Sequence, residues 1–109
     1  MTNLGIINGK TLKKQLILFE GMRLKPYLCT SQKTTIGVGR NLDDVGITEA
    51  EAEMLLEHDI LRCCEDLDRA MPWWRDLSEV RQRVCVDIVF NLGLGRWLGF
   101  KKCISALQE

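Results

Sequence analysis

Only one histidine, His58, occurs in the chain, and the five cysteines (Cys29, Cys63, Cys64, Cys85 and Cys103) include no CxxC pair. A structural zinc site needs four ligands at recurrent spacing, so we expect neither a metal nor a cofactor. An odd number of irregularly spaced cysteines also argues against a disulfide framework, and the thiols read as free, as suits a reducing compartment. Net charge is lacking too: fifteen Lys and Arg balance fifteen Asp and Glu. That removes the electrostatic argument for nucleic acid or another polyanion as partner. No apolar run approaches the roughly 20 residues of a bilayer span. The stretch from Leu4 to Ile7 is broken by Gly5 and is too short for the apolar region of a signal peptide. We therefore expect synthesis in the cytoplasm, no signal peptide and no membrane partner. Gly9-Lys10-Thr11 is the tail of a phosphate-loop pattern, but Leu4 stands where its first glycine belongs and no strand precedes it, so a nucleotide site is excluded.

What is present is one domain's worth of helix-forming sequence around a short β-rich stretch. A chain of 109 residues is the size of a single domain, and we take residues 1–109 as one. Residues 1–9 read as a loose arm. Asn8 is placed to cap a helix over 10–20, with Leu12, Leu16 and Phe19 on its apolar face, and Gly21 stops it. From Leu24 to Val38 the residues favour extended chain: Tyr27, Thr34, Thr35, Ile36 and Val38, with Thr30-Ser31-Gln32-Lys33 as the turn of a small hairpin or meander. Gly37 and Gly39 alternate with Val38, a pattern that marks bends or close approach of another group. Thr48 and Glu51 form a capping box for a helix running to about Arg69, roughly 30 Å long. His58 falls off its apolar face.

Met71-Pro72-Trp73-Trp74 breaks that helix. The two tryptophans suit either sugar stacking or a helix–helix corner. Ser78 caps a helix over 79–92 whose second half is apolar at six of eight positions, which predicts a buried central helix. Its polar exceptions, Asp87 and Asn91, need partners if buried. A turn at 96–99 and a last short helix over about 100–108 complete the chain. Charge is segregated: from Asp43 to Asp68 there are ten acids against one base, Arg62, and from Arg69 to Lys102 the balance is basic. Opposite charges on two solvated helical faces account for this.

Glu20 is the chemically interesting acid. A glutamate in a last helical turn is disfavoured by the helix dipole, and partial burial would raise its pKa toward the range of a general acid. Glu20-Gly21-x-Arg23-Leu24-x-x-Tyr27, followed by Thr35-Ile36-Gly37-x-Gly39, resembles the phage-type lysozymes, the endolysin muramidases. The similarity continues through Ile47-Thr48-x-x-Glu51-Ala52, Val89-Phe90-Asn91-Leu92-Gly93 and Gly99-Phe100. It thus spans about residue 12 to the end.

The resemblance implies an α+β, mainly α, lysozyme-like fold. A small hairpin lobe, about 22–46, is joined by a long helix to a helical part made of 10–21 and 47–109. It implies hydrolysis of the β-1,4 bond between N-acetylmuramic acid and N-acetylglucosamine in peptidoglycan, by an enzyme made in the host bacterial cytoplasm and acting on the wall after release. On that mapping Glu20 is the catalytic acid, and Thr35 and Cys29 orient or activate the attacking water. Arg40 and Asn91 are substrate-binding positions.

Three departures from the family pattern matter. Cys29 stands where an aspartate is usual, and a thiol with an ordinary pKa near 8.5 is a weak base at neutral pH unless ionised; a purely structural Cys29 is the alternative. Arg40 replaces a histidine whose usual acidic mate is replaced by Phe19, which points to repacking, with Arg40 facing Glu20 or substrate. The C-terminal helices of the family are absent, so we expect an exposed helical core and self-association through it. Two further readings stay open: a lytic transglycosylase, which needs one acid and no activated water, and an inactive remnant that binds glycan or protein.

Overall fold

The computed structural model describes residues 8–109 and divides into two compact units, residues 1–48 and 49–109. The expected N-terminal arm lies outside the described residues up to position 7. The first unit holds one helix and one sheet. Helix α1 (Gly9–Glu20) starts where Asn8 Oδ1 accepts from the Thr11 amide at 3.2 Å, and ends where the Gly21 amide donates to Ile17 O at 2.8 Å. Gly21 takes φ +77°, a value that glycine reaches without a Cβ penalty.

Three antiparallel strands follow in the order β1 (Arg23–Leu28), β2 (Thr34–Gly37) and β3 (Arg40–Asn41). Tyr27 pairs with Thr35 and Arg23 with Gly37, so β1 carries extra residues between Arg23 and Tyr27. Pro26 falls in this irregular part of an edge strand, where its missing N–H is tolerated. Thr35 in turn pairs with Asn41 across β2–β3. The loop after β3 is fixed by carboxylates: Thr34 N donates to Asp43 Oδ2 (2.8 Å), Asp44 N to Asn41 Oδ1 (3.0 Å) and Asn41 Nδ2 to Asp44 Oδ2 (2.8 Å).

One expectation fails in this unit. The apolar face of α1 is not buried: Leu16 is half-exposed and Leu18 and Phe19 are more so, and the helix has no buried residue. A sheet of three short strands offers too little surface to close over a helix, as is general for units of this size.

The second unit is helical. Helix α2 (Glu49–Ala70) is followed by a 3-10 segment (Pro72–Asp76), then α3 (Glu79–Leu92), the single turn α4 (Leu94–Leu98) and α5 (Lys101–Leu107). The turn expected at 96–99 is thus the end of a short helix. Ser78 Oγ accepts from the Arg81 amide and caps α3. The core comprises Cys63, Leu67, Met71, Trp74, Cys85, Val89 and Trp97. Each buried tryptophan finds a partner for its N–H, Trp97 Nε1 on Met71 Sδ at 3.2 Å and Trp74 Nε1 on Asp68 Oδ1 at 2.7 Å. Arg75 also donates to both oxygens of Asp68, at 2.8 and 3.1 Å, and lies over the Trp74 ring. The tryptophan pair therefore packs the corner between α2 and α3, with Trp73 half-buried against the core. His58 is exposed.

Helix α3 departs from its expected role. Only Cys85 and Val89 are buried, while Val80, Val84, Phe90 and Leu92 are exposed. Its Cys85–Val89 stripe meets the core, with Val86 and Ile88 partly buried against it. Asp87 and Asn91 are likewise exposed, and they pair with each other: Asn91 Nδ2 donates to Asp87 O (2.8 Å) and Oδ1 (3.0 Å).

Candidate active site

The five cysteines are free thiols, and they divide by environment. Burial pushes the Cys63 and Cys85 thiols up, Cys63 with further help from the nearby Asp66 charge. Cys29 goes the other way. It sits at the end of β1, half-buried, at the mouth of the turn that connects to β2. Cys29 N donates to Lys33 O (3.0 Å) and Gln32 N to Cys29 O (2.9 Å), which closes the turn. Gln32 adopts φ +64° to allow this, an uncommon conformation for a residue with a Cβ.

The Lys33 amide, the Thr35 hydroxyl and the Ser31 amide lower the pKa of the Cys29 thiol from an ordinary 9.0 to about 7. Donors of this kind stabilise the anion over the neutral thiol. Thr35, only 3% exposed, is the one buried polar residue among those described. Its Oγ1 also donates to Lys33 O at 2.9 Å. A hydroxyl has one proton, so Thr35 serves the carbonyl or the thiolate but not both at once.

Glu20, at the C-terminal end of α1, is exposed. Its carboxylate rests on the β2–β3 turn. A Cβ added at Gly39 would lie 2.9 Å from Glu20 Oε2, and Gly39 itself has φ +68°. The close approach foreseen at the alternating glycines is therefore made by the protein's own acid. Arg40, half-buried, donates from Nη1 to Gly46 O at 3.1 Å and ties β3 to the following loop. Asn91 belongs to the second unit, with its amide on Asp87.

Thus Cys29 and Thr35 are brought together by the β1–β2 register, and the Glu20 carboxylate lies close to Gly39 of the same sheet. The sequence reading missed the Ser31 and Lys33 amides and the packing role of Gly39. The Thr30–Lys33 turn signal pointed to the former, but no side chain announces an amide that faces a sulfur. A groove of about 490 Å³ in the second unit contains none of these three residues. No group of three or more metal-ligating side chains occurs among the described residues, and no helix there is long and apolar enough to cross a membrane.

A mainly helical chain with a small three-stranded antiparallel sheet is consistent with a lysozyme-like α+β fold. The chain belongs to the phage lysozyme family, whose model matches residues 18–108. It is similar to an endolysin of Acyrthosiphon pisum secondary endosymbiont phage 1, with 33% identity over 89 residues covering 75% of this chain and 59% of that protein. The chain therefore spans 59% of the length of this relative.

Proposed function

We propose that the protein is a peptidoglycan-lytic glycosidase of the muramidase type, with Glu20 as general acid and Cys29, as thiolate, activating water. The observation that carries this reading is the environment of Cys29. A thiol brought to a pKa of about 7 by turn amides and Thr35 is half ionised at neutral pH, which removes the objection that a cysteine is too weak a base for this position. Thr35 then positions the water between its hydroxyl and the thiolate. Glu20, whose carboxylate lies close to the side-chain-free Gly39, protonates the leaving oxygen. Arg40 serves as a substrate contact in this scheme, and the bond cleaved is the β-1,4 linkage between N-acetylmuramic acid and N-acetylglucosamine.

The scheme needs no metal or cofactor, since two protein groups supply the acid and the base. It is tested by Cys29→Ser, which removes the ionisable group at nearly constant size. Lysis of purified walls should fall by roughly 10²–10⁴, the range for a lost acid–base group. A Ser variant as active as the parent would return Cys29 to a structural role. In that case Glu20 alone would carry the chemistry, and the lytic transglycosylase reading, recognised by anhydro-muramic ends in the product, would take precedence.

A further inference from the structure

We propose that Asp43 is a positioning residue for the Cys29–Thr35 pair and acts through the Lys33–Thr34 peptide; its effect on lysis rests on the muramidase reading above. A chain of hydrogen bonds runs through that one peptide unit. At its N–H end, Thr34 N donates to Asp43 Oδ2 at 2.8 Å. At its carbonyl end, Lys33 O accepts from Cys29 N at 3.0 Å and from Thr35 Oγ1 at 2.9 Å. Both members of the pair are thus bonded to one carbonyl, and Asp43 holds the other end of the same plane. A peptide unit is planar and stiff, so a hold on the N–H also sets the direction of the carbonyl.

The sheet itself ends too early to do this. Strand β3 is two residues long, and its pairing with β2 covers Ile36–Arg40 and Thr35–Asn41. One step further Leu42 N still donates to Thr34 O at 2.7 Å. Toward Thr34 N, the Asp43 carboxylate takes the place of a strand carbonyl. A carboxylate on a backbone N–H is a charge-assisted acceptor, stronger than the neutral ladder bond it replaces. The loop that carries Asp43 is fixed in turn: Asp44 N donates to Asn41 Oδ1, Asn41 Nδ2 donates to Asp44 Oδ2, and Lys33 Nζ pairs with Asp44 Oδ1 at 3.3 Å. Lys33, Asp43 and Asp44 are the charged groups of this turn and loop. The Lys33–Asp44 pair is exposed and adds little, so the bond to Asp43 is the one that orients the peptide. Lys33 matters twice to the thiol, because its own amide does most to lower the Cys29 pKa, ahead of the Thr35 hydroxyl. A turn that loses its hold on Lys33 and Thr34 therefore loosens both donors together.

The test is the pH dependence of Cys29 alkylation by iodoacetamide in the folded protein, read by peptide mass mapping, which separates Cys29 from the other free thiols. The wild-type midpoint should lie at about 7. Asp43→Ala should raise it by about one unit, which at pH 7 lowers the thiolate fraction, and with it the rate of wall lysis, about 5-fold. Asp43→Asn keeps an acceptor oxygen for Thr34 N and should stay near the wild type in both readouts. Ser78→Ala, which removes a helix cap in the other unit, is the stability control and should leave the midpoint unmoved. Circular dichroism checks that each variant is folded. A folded Asp43→Ala with the wild-type midpoint overturns the proposal, and so does an Asp43→Asn that behaves like Asp43→Ala. The midpoint decides on Asp43 independently of lysis: a wild type that releases nothing from peptidoglycan overturns the muramidase reading alone.

Discussion

At the scale of the residue, the account rests on two local environments. The first is the Cys29 thiol. Its folded pKa, about 7, lies below its ordinary 9.0, so ionisation favours the folded state. That contribution is fully present above pH 9 and is lost as the pH falls through 7. Thiolate absorbance should titrate near 7 for Cys29, and Thr35→Val should move the midpoint up toward 9 by removing one donor. Under the proposed mechanism lysis falls as the pH drops through about 7, and Cys29→Asp moves that fall to the carboxylate range, around 4. A wild-type profile flat through pH 7 would contradict the role given to the thiolate. The second environment is Gly39. Gly39→Ala strains a φ of +68° by about 1–2 kcal/mol and puts a Cβ 2.9 Å from Glu20 Oε2, so the carboxylate must move. Gly46→Ala is the control, with φ +65° and nothing within 4 Å. Both variants should lose similar stability in urea, but only the former should lose lysis. The sequence named Glu20, Cys29 and Thr35 because they lie in a motif. It did not reveal what surrounds them, because amides of a closed turn and a carboxylate resting on a glycine depend on backbone geometry.

At the scale of the element, caps and turns were legible and burial was not. Asn8 and Ser78 cap the helices they precede, and Gly21 and Gly93 end them with positive φ. Such signals act within a few residues of themselves, so sequence carries them directly. Burial depends on which element arrives from elsewhere. The same apolar periodicity led to a buried stripe of Cys63 and Leu67 in α2 but to an exposed α1, and it left half of the apolar residues of α3 in water. Substitution should follow the observed burial. Leu67→Ala, at 0% exposure, should cost about 2–5 kcal/mol. Leu18→Ala, at 82%, should stay within about 0.5 kcal/mol. Ser78→Ala should cost about 1 kcal/mol through the lost cap. Denaturant midpoints at constant slope measure all three.

At the scale of the whole molecule, the buried apolar core belongs to the second unit, and Thr35 is the one buried residue described in the first. Amide exchange should therefore be slowest in α2 and α3 and fastest in α1, whose hydrogen bonds lie under exposed side chains. The family was legible because several motifs occurred in the right order, none of them specific alone, and the mainly helical fold with a small antiparallel sheet followed from it. The central claim is that Glu20 is the acid that cleaves the wall. The most direct measurement is the release of reducing sugar ends from purified peptidoglycan by the wild type and by Glu20→Gln, with circular dichroism to show that both are folded. The account predicts release by the wild type and its loss in the variant. Release by a folded Glu20→Gln at the wild-type rate would contradict it.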